Sequence, residues 1–189
     1  MTNDIKYSNL YSGISKVAWG YIFLFFDFNL GTVSILPDFV GYLLFLSAIG
    51  LLQEEEAELA LLKPFGTILV LWSGAEWIAS WFTISFDDSF QIFSIIICIV
   101  SIYFQFQMLT NLASIAAKYQ SYGMELDKDI LRYRTIQTIM ITGTMIFTYI
   151  TPWLDETWLG FLVLIVAGVS LLVGICLIGA LFKLRKIFL

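Results

Sequence analysis

The sequence predicts an all-α polytopic membrane bundle of six transmembrane helices with both ends in the cytoplasm. Three observations predict it. Of 189 residues, 59% are hydrophobic and 13% charged, about half the charged share of an ordinary soluble domain. The apolar residues gather into runs approaching or exceeding the roughly 20 residues that cross a bilayer core. The charges between those runs are sorted by sign, as the concentration of Lys and Arg in cytoplasmic loops requires.

The runs define six spans in one membrane domain covering 1–189. The first covers 10–28 and follows a polar N-terminus without an Ala-x-Ala-like cleavage site, so it is expected to remain as a span rather than be removed as a signal peptide. The second, 37–52, is short and is expected to continue as an amphipathic stretch through Leu62. Pro37 suits the first helical position, with Asp38 complementing the positive end of the helix. The third and fourth, 65–86 and 90–117, are joined by the brief Asp87-Asp88-Ser89 connection and read as an antiparallel hairpin. The fifth and sixth, 136–153 and 158–182, are separated by a short turn flanked by Trp153 and Trp158, an interfacial aromatic pair.

Orientation follows from the ten basic residues. Lys6 and Lys16 precede or enter the first span, Lys63 separates the second and third, and Lys118, Lys128, Arg132 and Arg134 separate the fourth and fifth. Lys183, Arg185 and Lys186 follow the sixth. The alternate connections carry Asp27, Asp38, Asp87, Asp88, Asp155 and Glu156 and no basic residue. An even number of crossings with the N-terminus inside fits this pattern. The 118–135 connection mixes acids and bases and is expected to carry helix ends into water. The acidic Gln53-Glu54-Glu55-Glu56-Ala57-Glu58 run is expected to be a solvated helix end, with partner docking as the alternative.

The informative chemistry lies within the spans. Glu76 stands near the middle of the third, roughly 15 Å from each end at 1.5 Å per residue, where burial opposes ionisation. Ser73, Glu76, Ser80 and Thr83 recur at helical spacing and form one polar stripe. In the fourth span Gln91, Ser94, Cys98, Ser101 and Gln105 repeat by three and four, a seam written in polar residues. Counting outward from the hairpin sets Glu76 level with Cys98 to Ser101, so the stripes are expected to face each other. They then either pack and hydrogen-bond two helices or line a wet pocket. Trp72, Trp77 and Trp81 surround the acid, and aromatic faces beside a carboxylate suit an organic cation. The ligand-binding set is therefore Glu76, Trp72, Ser73, Ser80, Ser101 and Gln105. Lys16 enters roughly 6 to 10 Å below Glu76 by helix rise and competes as its ion-pair partner, or snorkels to the surface. Asp27, Asn29 and Asp38 form a possible outer cation site, although three dispersed oxygen ligands do not define a metal centre.

Cys98 and Cys176 sit in apolar runs at different depths and read as packing residues rather than a disulfide. There is no histidine, no phosphate-binding glycine loop and no activated nucleophile. No catalytic residue, metal or cofactor is assigned, and nothing points to nucleic acid. The expected partners are the lipid bilayer, a small solute or cation, and a membrane-protein partner if the chain is an accessory or assembly subunit.

The segment Asp27-Phe28-Asn29-Leu30-Gly31, followed by Ile35-Leu36-Pro37-Asp38-Phe39-Val40-Gly41-Tyr42, resembles a recurring pattern in uncharacterised small membrane proteins of Gram-positive bacteria. The resemblance covers the first two spans and implies a bacterial plasma-membrane location and a multi-span fold, with no activity attached. Size and span count also resemble the substrate-binding subunits of energy-coupling-factor transporters. Their docking helix carries Ala-x-x-x-Ala, where this chain reads Gly13-Ile14-Ser15-Lys16-Val17-Ala18-Trp19-Gly20.

Overall fold

Each long apolar run folds as a helix. In the computed structural model, which describes residues 2–26, 29–30, 33–34, 37–82, 91–150 and 156–189, α1 (Thr2–Phe25) leads through a two-residue antiparallel pair, β1 (Asn29–Leu30) and β2 (Val33–Ser34), into α2 (Asp38–Leu52). A 3-10 helix (Ala57–Leu62) runs directly into α3 (Lys63–Ser80). α4 (Gln91–Tyr119), α5 (Leu126–Ile150) and α6 (Glu156–Lys186) complete the chain.

α1 begins eight residues before the predicted first span and α5 ten residues before the fifth. A helix does not stop where the apolar run stops, because its backbone is satisfied internally in water as in lipid. The mixed-charge segment before the fifth span is accordingly the first two turns of α5, as expected. Gln120 organises that start from outside the helix. Its Oε1 accepts the N–H groups of Leu126 at 2.9 Å and Asp127 at 3.3 Å, and its Nε2 donates to Asp127 at 2.8 Å. Two of the N–H groups a helix start leaves unsatisfied thereby gain acceptors. Gly123 turns the connection at φ +90°, a conformation that favours glycine.

Two local expectations are corrected. Pro37 is not the first helical residue but the cap before it, with φ −72° and ψ 135°, and Asp38 opens α2. The second helix does not continue through Leu62. It ends at Leu52, and the chain turns at Gln53–Glu55 before the 3-10 helix begins. Ion pairing accounts for the turn and changes the reading of the acidic run. Glu55 is largely buried and binds Lys6 at 2.6 Å and Lys118 at 3.7 Å, while Glu56 holds Lys118 at 3.2 Å. Burial works against the ionised Glu55 carboxyl, but hydrogen bonds from Lys6 and Tyr119 outweigh it and hold the group below its ordinary value. Lys6 is raised, first by its hydrogen bond to Glu55. This clasp joins α1, the turn and α4, with Tyr7, Tyr119 and Phe188 stacked edge-on beside it.

The helices pack in chain order: α1 on α2, α2 on α3, α3 on α4, α4 on α5 and α5 on α6. The contact of α6 with α1 closes the ring. α1 and α2 approach most tightly where two glycines meet. A β-carbon on Gly41 would lie 2.9 Å from the Gly20 carbonyl oxygen, and one on Gly20 would lie 2.6 Å from the Phe45 ring. Burial is uneven along the bundle. Among the described residues, α4 buries Phe104 and later positions, α5 none beyond Gln137 and α6 none before Gly174. The closely packed layer of these three helices thus lies at the end that carries the Lys6–Glu55–Lys118 clasp.

Three helical stretches are long and apolar enough to cross a membrane, Ala57–Ser80, Gln91–Tyr119 and Val163–Lys186. Asp38–Leu52 is apolar but shorter. α1 and α5 have no stretch of that length and mean hydropathy among the described residues, and α5 carries five charges in its first nine residues. The apolar windows of the three are only 28, 17 and 22% buried in the protein. Leu71, Phe82, Ile92, Leu164 and Leu172 are each 64–73% exposed, more apolar surface than a soluble monomer leaves to water and what a lipid-facing surface presents.

Candidate functional site

Glu76, expected at mid-span, lies four residues before the end of α3 at Ser80, beside a run of aromatic rings. Glu76 is half-buried, and its Oε1 accepts the indole N–H of Trp72 at 2.5 Å, one turn earlier. The Trp72 ring lies nearly parallel to Phe93 of α4, with centroids 6.5 Å apart and planes at 23°. On the flank of the helix, Trp77 meets Phe39 of α2 at 5.5 Å and Trp81 at 5.4 Å. The i, i+4 spacing of Trp72 and Glu76 produces the first contact without help from another helix. Trp77 and Trp81 belong to α3 and its cap, while Phe39 comes from α2 and Phe93 from α4. Asp38, Cys98 and Glu76 all lie within electrostatic reach of Tyr42. A carboxylate beside aromatic rings is chemically equipped to hold a cation by charge, with a ring face adding its quadrupole.

The predicted serines of this stripe turn inward to their own helix. Ser73 donates to the Leu69 carbonyl at 2.6 Å and Ser80 to the Trp77 carbonyl at 2.7 Å. Thr83 lies outside the described residues.

The seam of α4 forms a hydrogen-bonded chain, but its partners are α2 and α5. The Tyr42 hydroxyl and Ser101 share a hydrogen bond of 2.8 Å, Gln105 donates to Ser101 at 3.1 Å, and Gln137 donates to Gln105 Oε1 at 2.7 Å. The described hydrogen bonds of Ser101 and Gln105 therefore do not reach Glu76. Hairpin counting gave the level of two helices along the membrane, whereas the rotation of each helix is set by the neighbours that surround it. The cleft beside Gln105 and Gln137 is too narrow to admit a water-sized sphere. This part of the seam is dry packing. Tyr42 and Gln137 were not among the predicted site residues. A glutamine within the apolar fifth run was the signal for Gln137, since a polar amide in such a run calls for a partner.

Gln105→Leu is accordingly expected to lower stability by about 1–3 kcal/mol, because it strips the buried Gln137 amide of its acceptor. Thermal unfolding of the detergent-solubilised variant measures this, and Gln105→Leu with Gln137→Leu is expected to recover part of the loss.

Lys16 does not form the ion pair considered for it. Its Nζ donates to Ser47 of α2 at 2.6 Å, and among the described residues the ion pairs are Lys6–Glu55, Lys118–Glu55, Lys118–Glu56 and Lys128–Glu125. A serine one helix away satisfies the ammonium with less extension than an acid higher in the membrane. Of the possible outer cation site, Asp27 lies outside the described residues, Asn29 is described by its backbone in β1, and Asp38 is exposed at the start of α2. Among the described residues no three His, Cys, Asp or Glu side chains group as metal ligands. Arg134 is anchored without an acid. Its Nη1 donates to Thr110 at 2.8 Å and its guanidinium lies over the Phe106 ring at 4.0 Å. No protein-family model, curated protein or solved structure matches the chain.

Proposed function

We propose that this chain is a six-span membrane protein with both ends cytoplasmic that binds a small solute, in the first place an organic cation, at Glu76. The single observation that carries the reading is the pairing of Glu76 with Trp72, whose ring in turn stacks on Phe93, on an apolar helix. Placing a carboxyl group in a membrane span costs several kcal/mol on most scales, a cost that a bound cation offsets. Small quaternary and primary amines titrated into the purified protein test the reading by quenching of tryptophan fluorescence, with Glu76→Gln as the discriminating variant.

A second reading, a non-transport accessory or assembly subunit, is favoured by the dry cleft beside Gln105 and Gln137. Stable co-purification of a larger membrane complex, without any solute response, would select it.

Orientation has its own test. In a background of Cys98→Ala and Cys176→Ala, a cysteine at Asp87 or Glu156 is expected to react with an impermeant maleimide on intact cells. A cysteine at Tyr122 or Lys128 is expected to react only after permeabilisation. The opposite pattern inverts the topology.

A further inference from the structure

We infer that the groove between the start of α5 and the end of α6 is a binding site for the headgroup of an anionic phospholipid. The groove encloses about 510 Å³. Lys183 and Lys186 stand on one side, and Met124, Leu126 and Ile187 supply apolar walls. Among the described residues neither lysine has a hydrogen-bond or ion-pair partner, whereas the neighbouring Lys128 is occupied by Glu125 at 2.6 Å and Arg185 turns away to Ser15 and the Tyr11 and Phe182 rings. With Glu125 neutralised, two ammonium groups face one carboxylate, Asp129. The groove thus keeps a net charge of one positive, carried by the two lysines against Asp129.

Its position supplies the second half of the argument. α6 is apolar from Val163 until Lys183, so the groove opens where that helix leaves the hydrocarbon. Residues three, four and seven apart share a helix face, and the face of Lys186 and Lys183 continues through Gly179, Cys176, Ile175 and Leu172, all exposed. Nothing lies within 4 Å of a β-carbon built on Gly179. A cationic notch at the foot of an unobstructed apolar track has the shape of an amphiphile, with a phosphate held by two lysines and an acyl chain along α6. Basic pockets at the membrane surface attract anionic headgroups. The inference rests on membrane embedding and not on the Glu76 site, so loss of the solute response leaves it standing.

The test is lipid retention measured by native mass spectrometry on the full chain, after exchange into detergent containing equal phosphatidylglycerol and phosphatidylcholine. Wild type is expected to retain one phosphatidylglycerol with a preference of about tenfold, undiminished by millimolar inorganic phosphate. Lys183→Gln with Lys186→Gln is expected to abolish the preference, and Lys63→Gln, a lysine away from the groove, to preserve it. Gly179→Trp, which obstructs the track while leaving both lysines, is expected to reduce retention and serves if the double variant misfolds. Equal retention of the two lipids, displacement by inorganic phosphate, or the same loss in Lys63→Gln would each overturn the proposal.

Discussion

Glu76→Gln is expected to abolish the response to cationic solutes, with affinity falling by more than about tenfold, while the protein melts within about 1 kcal/mol of wild type. Glutamine keeps the size of the side chain and an oxygen that accepts the Trp72 indole N–H. It removes the charge, which is the part a cation uses, and desolvated cation–aromatic sites lose most when their anion is lost. Binding titrations and thermal unfolding on the same preparation separate the two effects. Lys16→Met is expected to leave binding intact because Lys16 is engaged with Ser47. A Glu76→Gln protein that binds every tested solute as wild type does would remove Glu76 from the function and bring the accessory reading forward.

Gly41→Val is expected to cost about 3 kcal/mol or more, the largest stability effect of any single change considered for this chain. The first atom added meets the Gly20 carbonyl oxygen at 2.9 Å, with Leu24 and Phe23 side-chain atoms at 3.3 Å. Backbone cannot rotate away as a side chain can, so α1 and α2 must separate, and overpacking of this kind costs about 1–3 kcal/mol even where side chains yield. Gly74→Ala is the matched control. A β-carbon there meets Phe39 at 3.9 and 4.0 Å, ordinary contact, and alanine favours the helix over glycine by about 1 kcal/mol. Unfolding temperatures of the two variants in one detergent are expected to move in opposite directions.

The same pair shows what a sequence of this kind discloses. Each of the six apolar runs overlaps a helix, because a run of that length has few ways to satisfy its backbone other than a helix. Their ends were less legible. The first span was bounded by hydropathy at residue 10, whereas α1 begins at Thr2, since hydropathy reports the solvent and not the hydrogen bonding. The break after Leu52 carried no glycine or proline. It arises where Glu55 is drawn to Lys6 and Lys118, residues far away in the chain. At the site, the Trp72–Glu76 contact was readable because both residues lie on one helix one turn apart. The partners of Ser101 and Gln105 were not, because Tyr42 and Gln137 reach them from helices whose rotation no periodicity specifies.

The uneven burial of α4, α5 and α6 has a mechanical meaning. Among the described residues these three helices join the bundle chiefly through one closely packed layer, so a change in that layer acts on all three at once. The Lys6–Glu55–Lys118 clasp lies at the end of the bundle that holds this layer, and its contribution is present at neutral pH and lost as pH falls through the depressed Glu55 value.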